Sequence, residues 1–153
     1  MTLDDDIARL AAAPLFALLE RDALRLLTFA AESRGLVVGE TLFRRGEPSD
    51  GGYVVLSGLV ALASASGETT LAGPAALIGR SALFVSTPRP ATAAARERSD
   101  LLRVSPAVMR RVLEEFPAAH QAIRAALADE LDTLDAGLRA VRRRLDAIEE
   151  PRA

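Results

Sequence analysis

The sequence predicts a mainly β domain, an antiparallel sandwich or barrel, framed by helices at both ends. Three observations predict it. Nine of the ten glycines fall between Gly35 and Gly79. Short apolar runs lie between those glycines at the spacing of strands and tight turns. The stretches before Ser33 and after Ser105 instead repeat apolar residues at helical spacing.

The N-terminal third opens as a helix. Thr2 precedes Asp4, Asp5 and Asp6, a capping residue followed by acids at the positive end of the helix dipole. Ile7, Leu10 and Ala11 give the apolar face. Pro14 interrupts, and Leu15, Leu18, Leu19, Leu24, Leu26, Leu27 and Phe29 continue a helical pattern to about Ala31. Strands are expected at Leu36-Val37-Val38, Thr41-Leu42-Phe43, Tyr53 to Leu56, Leu59 to Ala63, Thr70-Leu71, and near Ala91–Arg96 and Leu101–Val104. The run Gly46-Glu47-Pro48-Ser49-Asp50-Gly51-Gly52 is a dense turn cluster, and Ser57-Gly58 reads as a hairpin. Ser105-Pro106 opens a helix, with Ser as cap and Pro in the first turn. Val108, Met109, Val112 and Leu113 form its apolar face, and Pro117 ends or kinks it.

From Ala118 to about Glu149 there is no Pro and only Gly137, which predicts a helix of about 30 residues, roughly 45 Å long. Leu127, Leu131, Leu134, Leu138, Val141, Leu145 and Ile148 are spaced 4, 3, 4, 3, 4, 3. That is an unbroken heptad seam, with Leu131, Leu138 and Leu145 at a and the others at d. A helix this long overhangs a β domain of this size, so the expectation is a coiled-coil homodimer. The division expected is a β-roll with N-terminal helices over 1–117 and a dimerisation helix over 118–150.

Composition narrows the chemistry. The 153 residues hold no Cys and one His, His120. Disulfides, thiolate metal sites and a cysteine nucleophile are excluded, and a lone His builds no metal centre or His pair. A metal-dependent jelly-roll enzyme is disfavoured for the same reason. No metal, no catalytic residue and no enzymatic activity are expected. The formal net charge is −2 and all basic residues are Arg, which gives no electrostatic reason to expect nucleic-acid binding. No apolar run reaches the ~18 residues of a membrane span. The acidic start does not read as a signal peptide. The expectation is a cytoplasmic, bacterial protein.

Three motifs, in order, resemble the cyclic nucleotide-binding domain, the sensor module of the catabolite activator family and of cyclic-nucleotide-gated channels. Pro14-Leu15-Phe16 is similar to that family's helical entry. Gly39 to Asp50, then Tyr53-Val54-Val55-Leu56-Ser57-Gly58, matches its Gly…Gly-Asp…Asp…Tyr…Gly spacing. Gly79-Arg80-Ser81-Ala82-Leu83 followed by Thr87-Pro88-Arg89-Pro90-Ala91-Thr92 resembles its phosphate-binding cassette. The likeness runs over roughly residues 10–125. It implies a double-stranded β-helix, a jelly-roll-like sandwich, and a non-enzymatic regulatory role in signal transduction, with no cofactor beyond a possible cyclic nucleotide. In this family the cassette binds phosphate through a short helix and an arginine, here Arg89, and binds the ribose through a glutamate.

The chain departs from that pattern at two cassette positions. Arg80 stands where the family has Glu, a donor in place of an acceptor. Pro90 follows Arg89 and has no N–H to offer a phosphate. Upstream, Pro74-Ala75-Ala76 replaces Pro-Gly-Asp. Two readings stay open. In one, the pocket is degenerate and the fold serves as a dimerising or partner-binding module. In the other, Arg80 and Arg89 take a different anion, or a cyclic nucleotide with weakened affinity. No helix-turn-helix follows the long helix, so no direct DNA binding is expected, and output passes through an unidentified protein partner or the dimer itself.

Overall fold

A computed structural model describes residues 2–128 and 143–148. Helix α1 (Leu3–Ala12) starts on the predicted cap. The Thr2 hydroxyl accepts from the Asp5 N–H and the Asp5 carboxylate accepts from the Thr2 N–H, a reciprocal capping box. A 3-10 turn over Phe16–Leu18 and helix α2 (Arg21–Ala30) follow. Eight strands come next: β1 (Glu32–Leu36), β2 (Thr41–Phe43), β3 (Gly52–Ser57), β4 (Val60–Ser64), β5 (Thr69–Ala72), β6 (Leu77–Ile78), β7 (Ala91–Ala95) and β8 (Ser99–Val104). Helix α3 (Pro106–Glu115) is capped by Ser105, whose hydroxyl accepts from the Val108 N–H, with proline in the first turn. Helix α4 (Pro117–Ala128) starts at the proline predicted to end its predecessor. No described helix is long and apolar enough to cross a membrane.

The strands form two antiparallel four-stranded sheets, ordered β1-β8-β3-β6 and β2-β7-β4-β5. Two cores hold three layers together. Val54 and Leu56 of β3 and Leu102 and Val104 of β8 face the helices. Tyr53 and Val55 of β3 and Leu101 of β8 face the second sheet, against Phe43, Val60 and Ala93. The first sheet is thus covered on both sides, which is why β3 is apolar without alternation.

Three expectations need correction. The first strand lies at Glu32–Leu36, not at Leu36-Val37-Val38; Val37 and Val38 are exposed in the following turn. An edge strand with one wet face needs little apolar content, so its polar residues hid it. Strand β6 was not expected at all. It is two residues long and held by pairing with Tyr53 and Val54. The third concerns the long helix. Arg124 of α4 is ion-paired with Asp146 of a helical segment over 143–148. An α-helix rises 1.5 Å per residue, so in one straight helix these residues stand about 33 Å apart. The two pieces therefore lie side by side. Leu127 and Leu145 are buried in the helical core, with Ile148 packed against it. The seam positions Leu131, Leu134, Leu138 and Val141 lie outside the described residues.

Ala75 holds a left-handed backbone, φ +72°. A residue with a Cβ pays about 1 kcal/mol there. Ala75→Gly is expected to stabilise the chain by roughly that amount, raising the melting temperature by about 3 °C in a circular dichroism melt. A lower melting temperature would show that the loop is unstrained.

Candidate functional site

The turn cluster of residues 46–52 and the loop before β7 are zipped together. Gly46 N–H donates to the Arg89 carbonyl and Arg89 N–H to the Glu47 carbonyl, both at 2.8 Å. Ser49 N–H donates to the Thr87 carbonyl, and the buried Ser49 hydroxyl accepts from the Thr87 N–H. The Ser86 hydroxyl donates to the Ser49 carbonyl. This lattice holds Arg89 in one place, and its side chain runs into the fold.

Arg89 is only 4% exposed. Its Nη2 donates to the Gly51 carbonyl at 2.8 Å and to Asp50 Oδ1 at 3.2 Å. The guanidinium lies over the Phe43 ring, 4.1 Å from its centroid, and 5.7 Å from that of Tyr53. Cation–ring attraction grows when water is excluded. Burial pulls the Arg89 pKa below its ordinary value, opposed by the neighbouring Tyr53 phenol and Asp50 carboxylate; the group remains a cation at any physiological pH. Its Nε–H is buried and has no hydrogen-bond partner. The site thus holds a desolvated cation clamped through Nη2, with its buried Nε–H unspent.

The cassette turn closes over this cation. Gly79 ends β6 at φ +82°, and a Cβ there would lie 2.8 Å from Arg89 Nη1. Only glycine leaves the guanidinium room. A 3-10 turn over Ser81–Leu83 follows. Ala82 and Leu83 are buried, Arg80 and Ser81 half-buried, Pro90 exposed. The fold brings Gly79, Ala82 and Arg89 together. It adds Phe43, Asp50, Gly51 and Tyr53, which sequence reasoning had not placed at the site. Their signal was the Asp…Tyr spacing of the second motif. Asp50 also links outward: the Arg103 guanidinium donates to its carbonyl at 2.8 Å and pairs with its carboxylate at 3.4 Å. Burial, with Asp50 nearby, pushes the Tyr53 pKa up. His120 is buried in α4 with no partner for Nε2.

Comparison with known proteins agrees with this fold. The family model of the cyclic nucleotide-binding domain matches residues 34–116. Three solved structures are similar. One is a cyclic nucleotide-binding-like protein from Brucella abortus, 35% identical, covering 72% of this chain and 99% of its own, with a TM-score of 0.64. Another is the N-terminal domain of a transcriptional regulator from Streptomyces coelicolor, 33% identical, covering 81% and 90%, TM-score 0.73. A third is the sensor domain of the transcriptional regulator DNR from Pseudomonas aeruginosa, 26% identical, covering 83% and 94%, TM-score 0.67. No curated protein matches the chain.

Proposed function

The chain belongs to the cyclic nucleotide-binding domain family, and from that premise we propose that it is a non-enzymatic sensor module whose cassette keeps its anion subsite and has lost ribose recognition. The buried, unpartnered Nε–H of Arg89 carries the first half of this reading. A desolvated guanidinium donor favours a phosphate or carboxylate oxygen far more than water does. Arg80 and Pro90 carry the second half. The ribose acceptor and one phosphate donor are missing, each worth about 1.5–3 kcal/mol where the partner is charged. Each loss weakens a cyclic nucleotide about 10- to 100-fold. The module self-associates through its C-terminal seam and passes its state to a protein partner, as befits a likeness to sensor domains of transcriptional regulators.

Calorimetric titration of cyclic AMP and cyclic GMP tests this. The wild type is expected to bind neither at micromolar concentration. Arg80→Glu restores the acceptor and is expected to tighten cyclic AMP about 10- to 100-fold. Micromolar binding by the wild type would sink the reading. No gain in Arg80→Glu would move the defect to Pro90 or to the Pro74-Ala75-Ala76 loop.

A further inference from the structure

The inner face of a β-sandwich is apolar where its two sheets close on each other. One corner of this sandwich departs from that rule. Glu32 of β1 stands opposite Arg103 of β8, and Arg103 opposite Tyr53 of β3. Tyr53 faces the second sheet, so this row lies on the inner face. Arg34, two residues along β1 from Glu32, shares that face. Inward charges on an edge strand guard it against pairing with other chains. That accounts for Glu32 and Arg34. It does not account for Arg103 and Tyr53, because β8 and β3 lie inside the sheet.

These four residues, with Leu42 and Asp50, wall a cavity of about 310 Å³, and Arg89 is not among its walls. The volume is at the low end of small-molecule sites. Arg103 is committed, with Nη2 on the Glu32 carboxylate and Nη1 on the Asp50 carbonyl. Two other donors are not. Arg34 lies 3.6 Å from the Glu40 carboxylate, too far for a hydrogen bond. Tyr53 is only 6% exposed, yet its hydroxyl has no hydrogen-bond partner among the described residues. One acceptor is also spare, since Glu32 gives Arg103 only Oε2.

Two guanidinium groups and two carboxylates line the cavity, so its field favours neither sign as a whole. A simple anion or cation meets a like charge for each opposite one. A ligand that carries both charges gains from both walls. We propose that this corner is a second ligand site, separate from the cassette, for the zwitterion of an α-amino acid. Its carboxylate accepts from Arg34 and from the Tyr53 O–H, its ammonium donates to Glu32, and its side chain lies along Leu42. Same-face neighbours on a strand stand about 7 Å apart, a gap that an ammonium and a carboxylate on one carbon bridge with a hydrogen bond at each end. The proposal does not depend on what the cassette binds.

The chain has one Tyr and no Trp, so intrinsic fluorescence reports on Tyr53 alone. Calorimetry of the wild type against each of the twenty L-amino acids is the test, with Tyr53 emission as the local reporter for the non-aromatic ones. At least one is expected to bind at about millimolar concentration or tighter and to change the emission. Its deaminated acid and its decarboxylated amine are each expected to bind at least about tenfold more weakly. Arg34→Met and Glu32→Gln are each expected to weaken binding about 10- to 100-fold. Both should keep the circular dichroism spectrum, because these side chains are 44% and 71% exposed. Binding by none of the twenty overturns the site. Binding left unchanged by either substitution, or without a change in Tyr53 emission, puts the ligand elsewhere and overturns it too. Equal affinity for the deaminated acid makes the corner a plain anion site and overturns the assignment of a zwitterion.

Discussion

Gly58→Ala is expected to be the most damaging alanine substitution among the described glycines, costing about 4 kcal/mol. Gly58 turns the chain between β3 and β4 at φ +96°, and its Cα is pressed against the turn between β7 and β8. A Cβ there would lie 2.3 Å from the Ser99 hydroxyl, 2.4 Å from the Arg98 carbonyl and 2.6 Å from Ser99 Cα. Two of those three are backbone atoms. The turn they belong to is itself pinned: Ser99 Oγ accepts from the Leu59 N–H at 3.0 Å and donates to the Glu97 carbonyl at 2.8 Å. Neither side can yield without breaking these bonds. Gly67→Ala is the control. It has a similar backbone, φ +86°, with nothing within 4 Å of its Cβ. It should cost only the conformational penalty, about 1 kcal/mol. Thermal melts should separate the two variants by about 10 °C. Equal melting temperatures would mean that the two turns are not held in contact.

Arg89→Met is the second large effect, about 3 kcal/mol or roughly 8–10 °C in melting temperature. The substitution keeps the aliphatic length and removes the charge. The Gly51 carbonyl then loses a buried charged donor, and the Phe43 face loses its cation. Asp50→Asn should cost under about 1 kcal/mol, because the Asp50 side chain is 65% exposed and water replaces the partner. The contrast places the stabilisation in the Gly51 bond and the ring contact rather than in the ion pair. Calorimetry of the three proteins decides it. An Arg89→Met melt within about 2 °C of wild type would show that the cation is not built into the core.

Most of the fold was legible because turn chemistry marks its own positions. Gly46, Gly58, Gly67 and Gly79 all adopt positive φ, and the apolar runs between them could only be short strands. What escaped was structure that depends on a partner. Leu77 and Ile78 become a strand only because β3 lies beside them. Glu32–Leu36 reads as polar loop until β8 pairs with it along its whole length. The cassette was legible through resemblance at Gly79, Ala82 and Arg89. The contacts of Phe43 and Asp50 with Arg89 were not, because both reach it from about 40 residues upstream, and no periodicity carries that information. The heptads show the same limit. A stripe of apolar side chains says that a helix face will be covered, and is silent on which surface covers it.

The pairing of β1 with β8, Glu32 opposite Arg103 and Leu36 opposite Ser99, also orders events during synthesis. The first strand to be made has its only sheet neighbour in the last. A growing chain can form α1, α2 and the β4–β5 hairpin, whose contacts are local. Neither β1 nor β3 gains its central neighbour until Val104 has been translated. Long-range closure of this kind makes folding slow and leaves strand edges open in the meantime. Truncations ending before β8 should therefore be far more prone to aggregate than truncations ending after it.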